Sequence, residues 1–153
     1  YLLEQNGFRY DVVDAVLAEQ QANPAGVLRG VKALTAWVQR SDWSTILPAY
    51  ARCVRITRDQ KETFAVHPES FVDPAENELH EALLQAESAQ RRPGSVEDFF
   101  KVFLPLIPVI NRFFDAVLVM ADDPAVRGNR LGLLQRVAVL ARGVADFSKL
   151  EGF

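Results

Sequence analysis

Three Asx-Pro steps, Asn23-Pro24, Asp73-Pro74 and Asp123-Pro124, each stand at the head of a segment whose apolar residues recur at helical spacing. An Asn or Asp side chain can accept from the free N–H groups of a first turn. A proline at the first helical position gives up a bond the helix would not have made. The steps therefore place three helix starts. A fourth is Ser95-Val96-Glu97-Asp98, close to a capping box, with Asp in place of the usual Glu or Gln. Helices are predicted over residues 9–20, 24–40, 44–61, 74–90, 96–120 and 124–147, with a helical tail over residues 1–6 that ends at Gly7. Residues 63–72 read as a linker and Arg91-Arg92-Pro93-Gly94 as a sharp break. No segment sustains the period-2 alternation of a strand. The expected architecture is all-α, a bundle of about six helices forming a single domain over residues 1–153.

The 96–120 segment is the most apolar. Phe99, Phe103, Leu106, Ile110, Phe113 and Val117 form one stripe, and Phe100, Leu104, Ile107, Phe114 and Leu118 form another beside it. An apolar arc of that width belongs to a central helix. Pro105 and Pro108 lie inside it and predict a kink or short break. On the last segment the apolar stripe runs Val126, Arg130, Leu133, Val137, Leu140, Val144 and Phe147, so an arginine falls on the core face. A buried arginine needs an acid. Asp115, late on the preceding helix and across a short loop, is the candidate for a structural ion pair with Arg130. An Arg130 that faces a partner, or lies on plain surface, stays open at this stage. Gly128 and Gly132 flank it, weakening the helix but permitting close helix approach.

Hydrophobic residues make up 49% of the chain and charged residues 24%, the balance of an ordinary globular domain. No apolar run approaches the ~20 residues that a membrane span needs. The chain opens on Tyr1 with no signal-peptide pattern, so a piece of a longer protein is expected. The single cysteine, Cys53, has no intramolecular disulfide partner and fits a reducing compartment; an inert core or boundary thiol is expected.

The net charge of −3 hides a segregation. Residues 28–61 carry seven basic side chains (Arg29, Lys32, Arg40, Arg52, Arg55, Arg58, Lys61) against Asp42 and Asp59, whereas residues 62–90 carry seven acids and no Lys or Arg. The two runs could pair with each other or be simply solvated. Alternatively, the basic run could meet a polyanion. Within "TAWVQRSDWSTILPAYARCVRITRDQK", Trp43, Leu47, Tyr50, Val54 and Thr57 define an inner face. Arg52 and Arg55 project away from it and Arg58 flanks it. Aromatics and guanidinium groups are the parts with which single-stranded RNA is stacked and read. Spacing alone favours core aromatics and solvated arginines.

Catalytic patterns are missing from the sequence. His67 and His80 stand on a linker and an acidic helix, and no HExxH, HxxxH or CxxC spacing occurs. Neither a phosphate-binding glycine loop nor a GxSxG elbow is present. The acid pairs Asp122-Asp123 and Glu97-Asp98 sit at helix starts, where the helix dipole accounts for them. An all-α hydrolase would need clustered His and Asp ligands. A helical docking module with little RNA affinity is the stronger rival to an RNA binder.

"FFDAVLVMADDPAVRGNRLGLLQRV" followed by "VADFSKL" resembles the C-terminal end of the β subunit of bacterial heterotetrameric glycyl-tRNA synthetase. "GFRYDVVDAVLA" resembles the start of the same domain, and "YARCVRI" its Lys-Arg-Val-x-Asn-Ile helix, with Arg55 where that pattern has Asn. The literal DALR tetrapeptide does not occur; Asp14-Ala15-Val16-Leu17 is the nearest echo. The resemblance implies a helical anticodon-binding domain of the arginyl-tRNA-synthetase (DALR) type. It implies the tRNA-Gly anticodon stem-loop, the rest of the β subunit and the α subunit as partners, with no DNA or membrane. It also implies a cytoplasmic, non-catalytic module without a cofactor, ATP and magnesium belonging to the full enzyme. Arg52 matches the family arginine, and the expected RNA contacts are Arg52, Arg55, Lys32 and Arg58, with Tyr50 and Phe64 as stacking candidates. Arg127, Asn129 and Arg130 match its R-x-N-R-L motif, either as framework or as contact.

Overall fold

All three Asx-Pro steps open helices in the computed structural model, which describes Leu3 and residues 6–153. Seven α-helices occur among the described residues: α1 Tyr10–Gln20, α2 Pro24–Val38, α3 Trp43–Thr57, α4 Pro74–Ser88, α5 Val96–Phe103, α6 Leu106–Ala116 and α7 Pro124–Val139. Short 3₁₀ turns cover Pro68–Ser70 and Phe147–Lys149. Asn23 accepts from the Gly26 N–H at 3.1 Å, and Asp123 from those of Ala125 and Val126. Asp73 accepts from Ala75, while Glu76 reaches back to the Asp73 N–H at 2.8 Å, completing a capping box. Ser95 Oγ accepts from the Asp98 N–H at 3.0 Å. The all-α expectation holds. The helical tail expected over residues 1–6 lies, apart from Leu3 and Asn6, outside the described residues.

Three expected helices stop early or break, the first two for a backbone reason. The 96–120 segment breaks where its prolines sit: Pro105 is the N-cap of α6 and Pro108 falls in its first turn, where no N–H is required. The last segment ends at Val139 rather than at residue 147. Gly143 takes φ +78°, a conformation that glycine adopts without strain, and turns the chain. Its N–H donates to Glu19 at 2.6 Å and that of Asp146 to the Ala15 carbonyl at 2.8 Å, so Phe147 enters a core from a 3₁₀ turn. Helix α3 closes at Thr57, whose hydroxyl back-bonds to the Cys53 carbonyl at 2.7 Å.

The contacts divide the chain into two units, and α3 and α5 contribute residues to both. The first comprises residues up to Ala51, Gln90–Lys101 and Ala141–Phe153. Here α1 packs on α2 and on the turn at Phe147–Lys149. Aromatic rings fill its core: Trp37 stacks on Phe100 at 4.4 Å, Trp43 meets Phe100 edge-on, and Tyr50, Phe99 and Phe147 interlock. The second unit comprises Arg52–Ala89 and Val102–Leu140. In it α4 packs on α6 and α7, burying Leu79, Leu83, Ile110, Phe113, Leu131 and Leu134 completely.

An extended segment is laced along α7 within this second unit. Gln135 accepts from the Phe64 N–H at 2.9 Å and donates to the Glu62 carbonyl at 2.9 Å. Asn129 accepts from the His67 N–H at 2.7 Å and donates to the same residue's carbonyl at 3.1 Å. A Cβ on Gly132 would stand 2.7 Å from the Phe64 carbonyl oxygen, and one on Gly128 would stand 3.3 Å from the Phe64 ring. These glycines do serve a close approach, but of the 62–67 segment rather than of another helix. Gly132→Ala is therefore expected to destabilise the fold by about 1–3 kcal/mol in urea unfolding, although alanine is intrinsically the better helix former by up to about 1 kcal/mol. An unchanged or raised midpoint would show that the segment is not held against α7.

Candidate nucleic-acid interface

Leu47, Tyr50 and Thr57 of α3 are buried, as the inner-face reading requires, and Trp43 and Val54 are half-buried. Arg52 and Arg55 project from the same helix into solvent, and Arg58, just past its end, is also exposed. The Arg52 guanidinium carbon lies 4.0 Å from the centroid of the half-buried Phe114 ring. That cation–π contact holds the group in place while leaving its charge uncompensated. No carboxylate among the described residues comes within ion-pair reach of Arg52, Arg58 or Lys32.

Three acids of the 62–90 run pair with other arginines. Glu78 pairs with Arg112 at 2.7 Å, Glu87 with Arg136, and Glu76 with Arg130. Arg40 makes an instructive contrast. Its guanidinium lies 4.2 Å from the Trp37 ring centroid, yet Asp42 holds it through two hydrogen bonds of 2.9 Å. Those bonds raise the Arg40 pKa and lower that of Asp42, so this arginine is already neutralised.

The expected contact residues fall in both units. Lys32 is exposed on α2 in the first unit. Tyr50 also belongs there, but it is core: its ring stands edge-on to Phe99 at 6.0 Å and to Phe147 at 5.4 Å. A base could not stack on it without unpacking those rings. Arg52, Arg55, Arg58 and Phe64 belong to the second unit. Phe64 is half-buried over Gly128 and forms one wall of a cavity of about 310 Å³ that Glu62, His67 and Asn129 also line.

Arg130 is a framework residue, but its partner is not Asp115. Helix α6 ends at Ala116, Val117 is extended, and Asp115 points to solvent on the last turn. The acid comes instead from α4: Arg130 Nε lies 3.7 Å from Oε2 of the fully buried Glu76. Arg130 Nη1 donates to the Leu118 carbonyl at 2.7 Å. Arg127 donates to the carbonyls of Ala121 and Asp122, and Asn129 clamps both backbone groups of His67. Each polar member of the Arg127-Asn129-Arg130 motif thus ties a neighbouring loop to α7. The sequence signal for Glu76 lay in the Asp73-x-x-Glu76 spacing of a capping box. Gln135 and Phe114 carried no comparable signal, because only the fold places them beside Phe64 and Arg52.

Burial pushes the Cys53 thiol up to about 12, so it remains protonated and unreactive near neutral pH. His67 lies 3.6 Å from Glu69 on the exposed linker, and His80 packs edge-on against Phe71. Among the described residues no group of three or more His, Cys, Asp and Glu is placed to hold a metal ion, and no helix is long and apolar enough to cross a membrane. Replacing Arg130 with Met should cost about 3–5 kcal/mol, since it strands a buried carboxylate, whereas Asp115→Asn should change stability by less than about 0.5 kcal/mol. Thermal or urea unfolding of the two variants checks the assignment; equal effects would contradict it.

A family model described as the DALR anticodon binding domain matches residues 46–145. The chain is 35% identical over 153 residues to the glycine–tRNA ligase beta subunit of Moorella thermoacetica, covering 98% of this chain and 22% of that protein. It is 34% identical over 149 residues to the corresponding subunit of Lacticaseibacillus casei, covering 97% of this chain and 22% of that protein. With that of Anaeromyxobacter dehalogenans the identity is 37% over 149 residues, covering 94% of this chain and 21% of that protein. The chain thus spans about a fifth of the length of these curated relatives.

Proposed function

The chain belongs to the DALR anticodon-binding domain family, and from that premise we propose that it is a tRNA-binding module that recognises the anticodon region of tRNA-Gly. It works as part of the β subunit of a cytoplasmic glycine–tRNA ligase, with the rest of that subunit and an α subunit as partners. It supports ligation without catalysing it and needs no cofactor of its own, ATP and magnesium serving the full enzyme.

The observation that carries this reading is Arg52, exposed, without a carboxylate partner among the described residues and held against Phe114 at 4.0 Å. Such a guanidinium can stack on a splayed base or meet a phosphate without first breaking an ion pair. Arg55 lies one helical turn further along α3 and Arg58 just beyond its end, so the cationic side chains follow one another along the chain. Phosphate contacts from these residues make binding salt-dependent, and base contacts make it loop-selective.

The exposed side chains of Leu118 and Met120, 72% and 46% accessible, favour a second reading, in which the module docks on protein and has little RNA affinity alone. Titration with a tRNA-Gly anticodon stem-loop and a scrambled-loop control, at two salt concentrations, separates the two. Loop-selective binding is expected, weakened about tenfold by Arg52→Ala and less by Arg52→Lys, which keeps the charge but loses the plane. Equal, salt-sensitive binding to both loops would reduce the reading to general phosphate attraction. No binding to either would favour docking.

A further inference from the structure

Gln20, at the end of α1, is 8% exposed, and its amide is oriented by the fold. Nε2 donates to the Gly94 carbonyl at 3.0 Å and to the Val144 carbonyl at 2.7 Å. Only the NH₂ side of an amide can face two carbonyls, so Oε1 is left as the remaining acceptor. No described residue donates to it. Gln20 helps line a cavity of about 300 Å³ within the first unit, together with Gly26, Gly94, Arg29 and Glu97. Glycine keeps the oxygen uncovered: a Cβ on Gly94 would stand 2.6 Å from Oε1, and one on Gly26 3.0 Å. Gly94 also takes φ +73°, which other residues rarely adopt.

The charges beside this acceptor are unevenly committed. Asp98 holds Arg92 through hydrogen bonds of 2.9 and 3.0 Å, and Glu97 accepts from the Trp37 indole N–H at 2.9 Å. Arg29 is exposed on α2 and forms no ion pair with a described residue. The site therefore presents an oriented acceptor, a carboxylate and one uncommitted cation. That combination suits a ligand with N–H donors at one end and an anion at the other.

We propose that this cavity takes an unpaired, amino-bearing nucleobase of single-stranded RNA, whose exocyclic N–H donates to Gln20 Oε1 and whose phosphate meets Arg29. Cytosine, adenine and guanine present such a donor at the base edge, whereas uracil has a carbonyl in its place and only a ring N3–H recessed between two carbonyls, which would face the Gln20 acceptor, so the site disfavours uridine. The inference rests on the RNA-binding reading but uses none of the residues on which that reading stands.

Amide NMR spectra of the isotope-labelled chain, titrated with a cytidine hexanucleotide, a uridine hexanucleotide and free cytidine monophosphate, test it. The Gln20 side-chain amide and the Gly94 N–H are expected to shift with the cytidine strand, at about fivefold lower concentration than with uridine, as for one hydrogen bond lost. Arg29→Ala should weaken that response about fivefold, and Ala33→Phe, which fills the cavity from its α2 wall, should abolish it. A response that is equal for the two strands, or that survives both substitutions, overturns the proposal. So does a response to the free nucleotide without one to the strand. Shifts confined to Arg52, Arg55 and their neighbours overturn the cavity while leaving the anticodon reading intact, and a spectrum unmoved by either strand, together with failure of the stem-loop titration, removes both.

Discussion

A buried carboxylate and a buried guanidinium, Glu76 and Arg130, face each other at 3.7 Å within the second unit, in which the exposed α3 arginines sit, and neither Oε2 nor Nε has a hydrogen-bond partner among the described residues. Glu76 is wholly inaccessible and Arg130 nearly so. Each would be costly alone, since desolvating an unpaired charge costs several kcal/mol even after relaxation. Each is also tied to backbone. One Glu76 oxygen accepts from the Val72 and Asp73 N–H groups and starts α4, while Arg130 reaches from α7 to the Leu118 carbonyl beyond α6. The pair therefore couples the start of α4, the middle of α7 and the loop leaving α6. Hydrophobic area could bind these helices equally well, but it is non-directional. The directional contacts here are the backbone bonds that Glu76 accepts and Arg130 donates, each of which ties one defined turn to its neighbour.

Around that pair, α7 acts as a spine. Its apolar side chains fill the core, its glycines admit the 62–67 segment to contact distance, and Asn129 and Gln135 satisfy that segment's backbone. A close approach of this kind leaves the segment's N–H and carbonyl groups against the helix, partly screened from water, so the side-chain amides and the glycines belong to one arrangement. The glycines make room, and the amides supply hydrogen-bond partners for the segment's backbone. This is why a helix with so little amphipathic contrast, buried residues following one another from Gly128 to Leu134, is stable in its place.

The sequence made the helix starts legible because capping is local: the Asx-Pro steps and Ser95 act on N–H groups within their own first turns. Helix ends were less legible. Val137, Leu140, Val144 and Phe147 keep helical spacing, yet Gly143 at positive φ delivers the last of them to a core by another route. Periodicity reports which residues are apolar, not whether the backbone between them stays helical. The need for an acid beside Arg130 could be read from burial cost, but its identity could not, because α4 precedes α7 by a long stretch of chain whereas Asp115 is the nearer acid along the sequence. Tyr50 shows the converse difficulty. An aromatic among arginines suits a stacking surface and a core equally, and only packing against Phe99 and Phe147 decides between them.

The arginines separate by what restrains them. Arg130 is committed to a buried acid, Arg127 to backbone carbonyls, Arg112 and Arg136 to the acidic run, and Arg40 to Asp42. Each would have to break an existing interaction before meeting an anion, which weakens any external contact by about the strength of that interaction. Arg52 is restrained differently: a ring limits its motion without neutralising it. Ordering a long side chain beforehand removes part of the entropy that binding would otherwise have to overcome. A cation–π contact leaves the guanidinium edge and its outer face available to a phosphate or a base. The acidic run completes this separation. Glu78, Glu76 and Glu87 of that run engage Arg112, Arg130 and Arg136, and no acid of the run pairs with Arg52, whose charge stays uncompensated among the described residues.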